Sequence, residues 1–255
     1  MNEQLKKIGY LKLNTKINSY WIEKVNNVLP SIFDDHQKTR TENGNEIYSN
    51  GLALNALVGN QVLFDFLQYL IDEDVIDWLN NNYFKSTCIL NSFSALSNLP
   101  RENKIFHRKV HRDIRGFSGD IPIMLNMLVM LDDFTEENGA TLILPESHLY
   151  DEKPDDDYFS SNCIAVTGKK GDIVIWNSNL YHTSGHNKTI FQRRALPITF
   201  SLPYYKQLLD YPRAIGYEKQ LSFNKELRNL LGYNSRVPAS LSEWYSSPEK
   251  RLYKN

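Results

Sequence analysis

Between residues 121 and 131 the chain is apolar almost without interruption. A strand with one wet face alternates apolar and polar side chains, whereas a strand covered on both faces carries an unbroken apolar run. The run therefore predicts a strand buried on both sides, which requires a sheet with a layer packed against each face. Asn126 breaks the run, in phase with Met124 and Leu128. A polar side chain there needs hydrogen-bond partners, and a backbone group and a bound ligand are equal contenders.

Shorter segments read as further strands. Residues 8–13 alternate apolar and polar around Gly9, residues 140–144 follow the turn Asn138-Gly139, residues 173–176 follow a turn over 168–172, and residues 195–202 read as the next strand. Helices are expected on either side. Ser19 is placed as an N-cap for Trp21, Ile22, Val25, Val28 and Leu29, with Pro30 beyond the end. The polar residues 34–51 predict a loop, and residues 62–79 one amphipathic helix. The acidic stretch 151–157 predicts a solvated loop; Leu227, Leu230 and Leu231 have helical spacing, and Trp244 and Tyr245 are expected to pack back on the domain. The fold class is mainly β with flanking helices, a closed or sandwiched β core such as a jelly roll. One domain over residues 1–255 is expected, with N-terminal helices packing on a β core at roughly 85–205 and a C-terminal helical extension.

Composition narrows the function classes. Of 255 residues, 41% are hydrophobic and 12% aromatic, enough for a core and against disorder. A net charge of -1 gives no reason to expect nucleic acid or an anionic membrane as partner, so a small-molecule substrate is the expectation. Cys88 and Cys163 form no C-x-x-C pair and read as buried free thiols. No stretch approaches the roughly 18 apolar residues of a membrane span. The first seven residues lack the apolar run of a signal peptide. The expected localisation is cytoplasmic; the oligomeric state is not legible.

The chemistry-bearing motif is His111-Arg112-Asp113. On an extended strand a His and a carboxylate two apart share one face. A third ligand is needed, and His182 is the candidate: two His and one carboxylate form the facial triad of non-haem iron sites. About 70 residues separate Asp113 from His182, enough for several strands to return to one barrel mouth. A lone His is more often structural than a ligand. His148 is read as structural or as support for the site, His186 as a loop residue, and His36, in the polar loop, carries no signal. His107 and His111 are four apart, a spacing also found in zinc sites, but no Glu follows His107 as in H-E-x-x-H. A metal-dependent hydrolase is thus a distant alternative.

The block Asp132-Asp133-Phe134-Thr135-Glu136-Glu137-Asn138-Gly139-Ala140-Thr141, then Leu144-Pro145-Glu146-Ser147-His148, then Gly171-Asp172-Ile173-Val174-Ile175-Trp176 leading to His182-Thr183-Ser184-Gly185 and Arg193, resembles the phytanoyl-CoA dioxygenase (PhyH) family of Fe(II)/2-oxoglutarate oxygenases. The resemblance implies a double-stranded β-helix of the cupin-like, jelly-roll type. It implies His111, Asp113 and His182 as iron ligands and Arg193 as the grip on the distal carboxylate of 2-oxoglutarate, with Arg194 as first alternative. A guanidinium offers that carboxylate a planar fork. Ser184 would assist the same carboxylate, and Asn126 and Thr141 are further candidates for contact with co-substrate or substrate. The family pattern has Pro-Gly-Ser-His where this chain has Glu146, which places the local turn geometry in question.

The implied cofactor is Fe(II), with 2-oxoglutarate and O2 as co-substrates. The expected reaction is hydroxylation of an unactivated C–H in a small polar metabolite or a natural-product or sugar intermediate. Asp113 stands where related iron halogenases have Ala or Gly, so halogenation is not expected, whereas desaturation and epimerisation depend on substrate placement. A non-catalytic β-helix binding module is the rival from another class; it has no need of open metal positions. The substrate itself does not follow from the fold.

Overall fold

The structure, a computed structural model, describes residues 2–45, 48, 50–100 and 109–247; His107 lies outside them. Among the described residues, ten strands are β1 (Tyr10–Lys16), β2 (Leu52–Ala53), β3 (Ile89–Phe93), β4 (Ala95–Asn98), β5 (Met124–Met130), β6 (Thr141–Ile143), β7 (Ile164–Val166), β8 (Asp172–Asn177), β9 (His182–Ser184) and β10 (Arg193–Ser201). The larger sheet has the order β1-β8-β5-β10-β4-β2, with β3 also paired to β10, and the smaller has the order β7-β6-β9. All pairings are antiparallel. The two sheets enclose one apolar layer of Leu128, Met130, Val174, Trp176 and Ala195 with Ile143 and Val166, a jelly roll with helices on its outer side.

All seven residues of β5 are buried, as the apolar run predicted. Leu128 and Met130 face the smaller sheet, whereas Leu125, Met127 and Val129 join the core beneath the helices. That core takes Leu63, Phe66, Leu67 and Leu70 from helix Gln61–Asp72 and Ile22, Val25, Leu29 and Ile32 from helix Ser19–Glu42. β1 pairs with β8, so the N-terminal part supplies a strand of the larger sheet as well as helices.

Several local expectations are corrected. Asn18, not Ser19, caps the first long helix, accepting from Trp21 N–H. That helix runs through Pro30 to Glu42. Pro30 forfeits one helical hydrogen bond, but Ile32 just beyond it is anchored in the core, and Gln37, Lys38, Arg40 and Glu42 are good helix formers. The first half of the polar stretch, residues 34–42 with a half-buried His36, is therefore helical. The helix expected over 62–79 is broken at Asp74, whose φ of 57° is left-handed, and resumes as Val75–Leu79. Asp155 caps a short helix, Asp156–Asn162, inside the acidic stretch. Cys88 is buried, but Cys163 is only partly so. Helix Lys225–Leu230 buries Leu227 and Leu230 as expected, whereas Trp244 and Tyr245 are exposed.

Glu146 adopts φ 66°, the conformation for which glycine is suited, at the turn where the family pattern has Gly. No helix among the described residues is long and apolar enough to cross a membrane.

Candidate metal centre and its cavity

His111 and His182 are cross-strand partners. His111 N–H donates to His182 O at 3.1 Å, and His182 N–H donates back to His111 O at 2.9 Å, the doubly bonded pair of an antiparallel ladder. His182 opens β9, but His111 forms only an isolated bridge and the chain bends from Asp113 onward. The strand expected through His-x-Asp is thus one residue long. The alternation survives: Arg112 turns away, its guanidinium donating to Asp151 and lying 5.6 Å from the Phe117 ring and 5.5 Å from that of Tyr181.

The two imidazoles are held alike. His111 Nδ1 lies 2.7 Å from Lys109 O and His182 Nδ1 3.1 Å from Leu180 O, each the carbonyl two residues upstream. An Nδ1–H donated there leaves the Nε2 lone pair for a metal. His111 Nε2 is 3.4 Å from Asp113 Oδ1, and His182 Nε2 is 3.4 Å from Asp113 Oδ2. Ligand atoms at right angles about 2.1 Å from one ion lie about 3 Å apart; one ligand atom from each of the three residues lies within 4.8 Å of the others, so the donors must draw together to share an ion.

Burial pushes the His182 imidazole down to about 4, against the pull of Asp113. Burial also lowers His111, but its hydrogen bond to Asp113 and the carboxylate charge outweigh it and leave the group raised. Burial opposes ionisation of Asp113, yet the His182 charge, the contacts with His111 and the Asn126 amide hold it below the ordinary carboxylate range. A neutral His182 and an ionised Asp113 are the forms a divalent cation takes as ligands.

The three side chains open on a cavity of about 720 Å3, whose walls include Asn126, Thr141 and Ser184. Register explains the grouping: Thr141 pairs with Ser184, two residues beyond His182 on the same face of β9. Asn126 pairs with Thr199 on one side and Trp176 on the other. Its Oδ1 accepts from a side chain, Thr199 Oγ1, at 2.9 Å. Trp176 sets its ring edge-on to His182 at 5.2 Å. Thr199 and Trp176 were missed as site residues, and only strand register could have found them.

Arg193 is fully buried and lies outside the cavity wall. Its Nη2 donates to Gly139 O at 3.0 Å and its guanidinium sits 4.2 Å from the Phe134 ring centre. Nε and Nη1 have no hydrogen-bond partner among the described residues. Burial pushes Arg193 down to about 9. A buried guanidinium with two unmatched N–H groups suits an anionic ligand, which is the property a 2-oxoglutarate carboxylate requires. Arg194 turns the other way and is committed to Asp132, with Nε to Oδ2 at 2.9 Å and Nη2 to Oδ1 at 2.7 Å.

His148 is structural. Its Nε2 lies 3.1 Å from Lys6 O, and a Cβ on Gly9 would meet its Nδ1 at 2.5 Å, so Gly9 permits the close approach of the N-terminal segment. His186 is exposed in a loop.

Residues 29–195 match the family model described as "Phytanoyl-CoA dioxygenase (PhyH)". A curated relative, an uncharacterized protein of Mycobacterium tuberculosis, is 34% identical over 72% of this chain and 64% of its own length. The chain thus spans somewhat less than two thirds of that relative. Dioxygenase cdmD of Talaromyces verruculosus is 35% identical over 38% of this chain and 33% of its own. Among solved structures, EctD from S. alaskensis with bound Fe superposes with a TM-score of 0.62 at 18% identity, over 79% of this chain and 75% of that one. The non-heme alpha-ketoglutarate-dependent carbocyclase SnoK superposes with a TM-score of 0.59 at 17% identity, over 79% of this chain and 82% of that one. The two structures share the fold, and the match over residues 29–195 shows that the chain belongs to the phytanoyl-CoA dioxygenase family.

Proposed function

We propose that the protein is an Fe(II)- and 2-oxoglutarate-dependent dioxygenase that hydroxylates a C–H bond of a small polar metabolite or of a sugar or natural-product intermediate in the cytoplasm. One observation carries the reading: His111, Asp113 and His182 bring two nitrogens and a carboxylate within 4.8 Å of one another on the wall of a cavity. Family membership, the iron named for EctD and the co-substrate named for SnoK support it.

His111, Asp113 and His182 would hold the iron. With 2-oxoglutarate and O2, iron supplies the oxidising power to remove hydrogen from a substrate carbon and deliver hydroxyl. Arg193 takes the distal carboxylate of 2-oxoglutarate on its unmatched N–H groups, with Ser184 and Thr141 contacting the same molecule from the smaller sheet. Leu128, Pro197 and the Trp176 ring present apolar surface beside the triad and keep water from it. Ser92, Ser94, Arg115 and Lys206 line the same cavity and suit a polar substrate.

The test is O2 uptake and succinate release by purified protein across a panel of polar metabolites, with and without Fe(II). Expected are succinate formation that requires both iron and 2-oxoglutarate, and a product carrying 18O from 18O2. Hydrolysis supported by Zn(II), or O2 uptake indifferent to 2-oxoglutarate, would overturn the reading. An unlabelled product two hydrogens lighter would replace hydroxylation by desaturation, and a chlorinated one would replace it by halogenation.

A further inference from the structure

We infer that Asn126 and Thr199 together position the metal-binding carboxylate: Thr199 fixes the Asn126 amide, and the amide N–H takes the Asp113 oxygen that does not ligate. The inference rests on the metal-binding reading above.

Strand pairing places the parts. Thr199 of β10, Asn126 of β5 and Trp176 of β8 are successive cross-strand partners, and all three line the cavity. They form a row across the larger sheet, lining the cavity that the triad also lines, with the Trp176 ring against His182 at its end. Within the row the Asn126 amide has one settled orientation. Its Oδ1 accepts from Thr199 Oγ1 at 2.9 Å, which leaves Nδ2 on the other side.

Asn126 is 3% exposed, and its Nδ2 has no access to water and no hydrogen-bond partner within normal bonding distance among the described residues. A buried amide donor left this way costs about 1–3 kcal/mol, so it calls for an acceptor. Asp113 lines the same cavity, within reach of the Asn126 side chain. At present Asp113 gives one oxygen to each imidazole, at 3.4 Å in both cases. A metal ion draws both Nε2 atoms and one carboxylate oxygen to itself. The second oxygen is then released from its imidazole, and Asn126 Nδ2 is the buried donor beside it.

The arrangement has a consequence for coordination. A carboxylate whose outer oxygen is engaged by an amide binds through one oxygen only. That keeps positions open around the metal, as a site that must also take a bidentate keto acid and O2 requires. Asn126 is thereby assigned to Asp113 rather than to the co-substrate.

The experiment uses full-length protein with Co(II) in place of iron, reading affinity by titration and ligand field by the visible absorption bands. Partners that orient metal ligands typically change affinity by about 10–100-fold. Thr199→Val keeps the shape and removes the donor; about tenfold weaker Co(II) binding and shifted bands are expected, with Thr199→Ser returning both to near the wild-type values. Asn126→Leu should weaken binding further. Thermal unfolding without added metal shows which variants fold, and Thr199→Val alone decides if Asn126→Leu does not. Wild-type affinity and spectrum in Thr199→Val would overturn the inference while leaving the triad standing. Failure of the wild-type protein to take Co(II) would overturn the triad reading and this inference with it.

Discussion

Arg193 and Arg194 are joined by one peptide bond and serve opposite sides of β10. Arg193 runs inward to Gly139 O and the Phe134 ring with two N–H groups unmatched, whereas Arg194 forks onto Asp132. Arg193→Ala should therefore raise the 2-oxoglutarate concentration needed for half-maximal succinate release at least tenfold, with little change in the iron requirement. Arg194→Ala should leave that concentration alone and cost about 1–3 kcal/mol of stability, the value of a charge-assisted pair. Steady-state kinetics and urea denaturation separate the two, and the reverse pattern would move the anion site to Arg194.

His182→Ala should abolish Fe(II) binding and turnover without unfolding the protein. The hydrogen bonds that pair His182 with His111 are made by the backbone and survive the substitution. Metal stoichiometry and far-UV circular dichroism are the readouts. Wild-type turnover in the variant would dismiss the triad.

Glu146 holds a left-handed backbone, φ 66°. The same conformation costs a residue with a side chain roughly 1–2 kcal/mol that glycine avoids. Glu146→Gly is expected to stabilise the protein by about 0.5–1 kcal/mol, after the greater freedom of glycine in the unfolded chain is subtracted. A lower denaturation midpoint in the variant would contradict this.

Asp172 is 1% exposed and ion-paired to Lys12 and Lys16 of β1, the latter at 3.0 Å. Burial works against its charge, but those lysines and the Lys169 N–H outweigh it and hold the carboxyl below its ordinary value of 3.8. A lowered folded-state value means that the unfolded chain binds the proton first, so the stabilisation is present above about pH 3.8 and is lost as pH falls through the folded-state value. Asp172→Asn should cost about 1–3 kcal/mol at pH 7, and the deficit should shrink steadily below pH 4. A deficit that does not change with pH would show that the lysine contacts contribute nothing.

Some of this was legible in the chain and some was not, for identifiable reasons. β5 could be read because burial on both faces leaves an unbroken apolar run. His111, Asp113 and His182 could be read because ligand chemistry restricts residue types and the surrounding block resembles a known family. Which of Arg193 and Arg194 faces inward depends on the pairing of β10 with β4 and β5, a long-range property that no local pattern carries. Thr199 was invisible for the same reason: it matters only because register sets it opposite Asn126. The helix through Pro30 was misread because proline is a local stop signal, and here the anchoring of Ile32 in the core prevails.

The bridge between His111 and His182 would give the proposed metal binding a role in proofreading the fold. Two of the three proposed ligands are set by one doubly hydrogen-bonded cross-strand pair. Slipping that pairing by one residue would swing one imidazole to the far side of the sheet. A metal ion would thus favour only chains whose sheets have closed in the native register, and stabilise them in proportion to the logarithm of its concentration. The ion that equips the site for chemistry would also select the correctly assembled barrel.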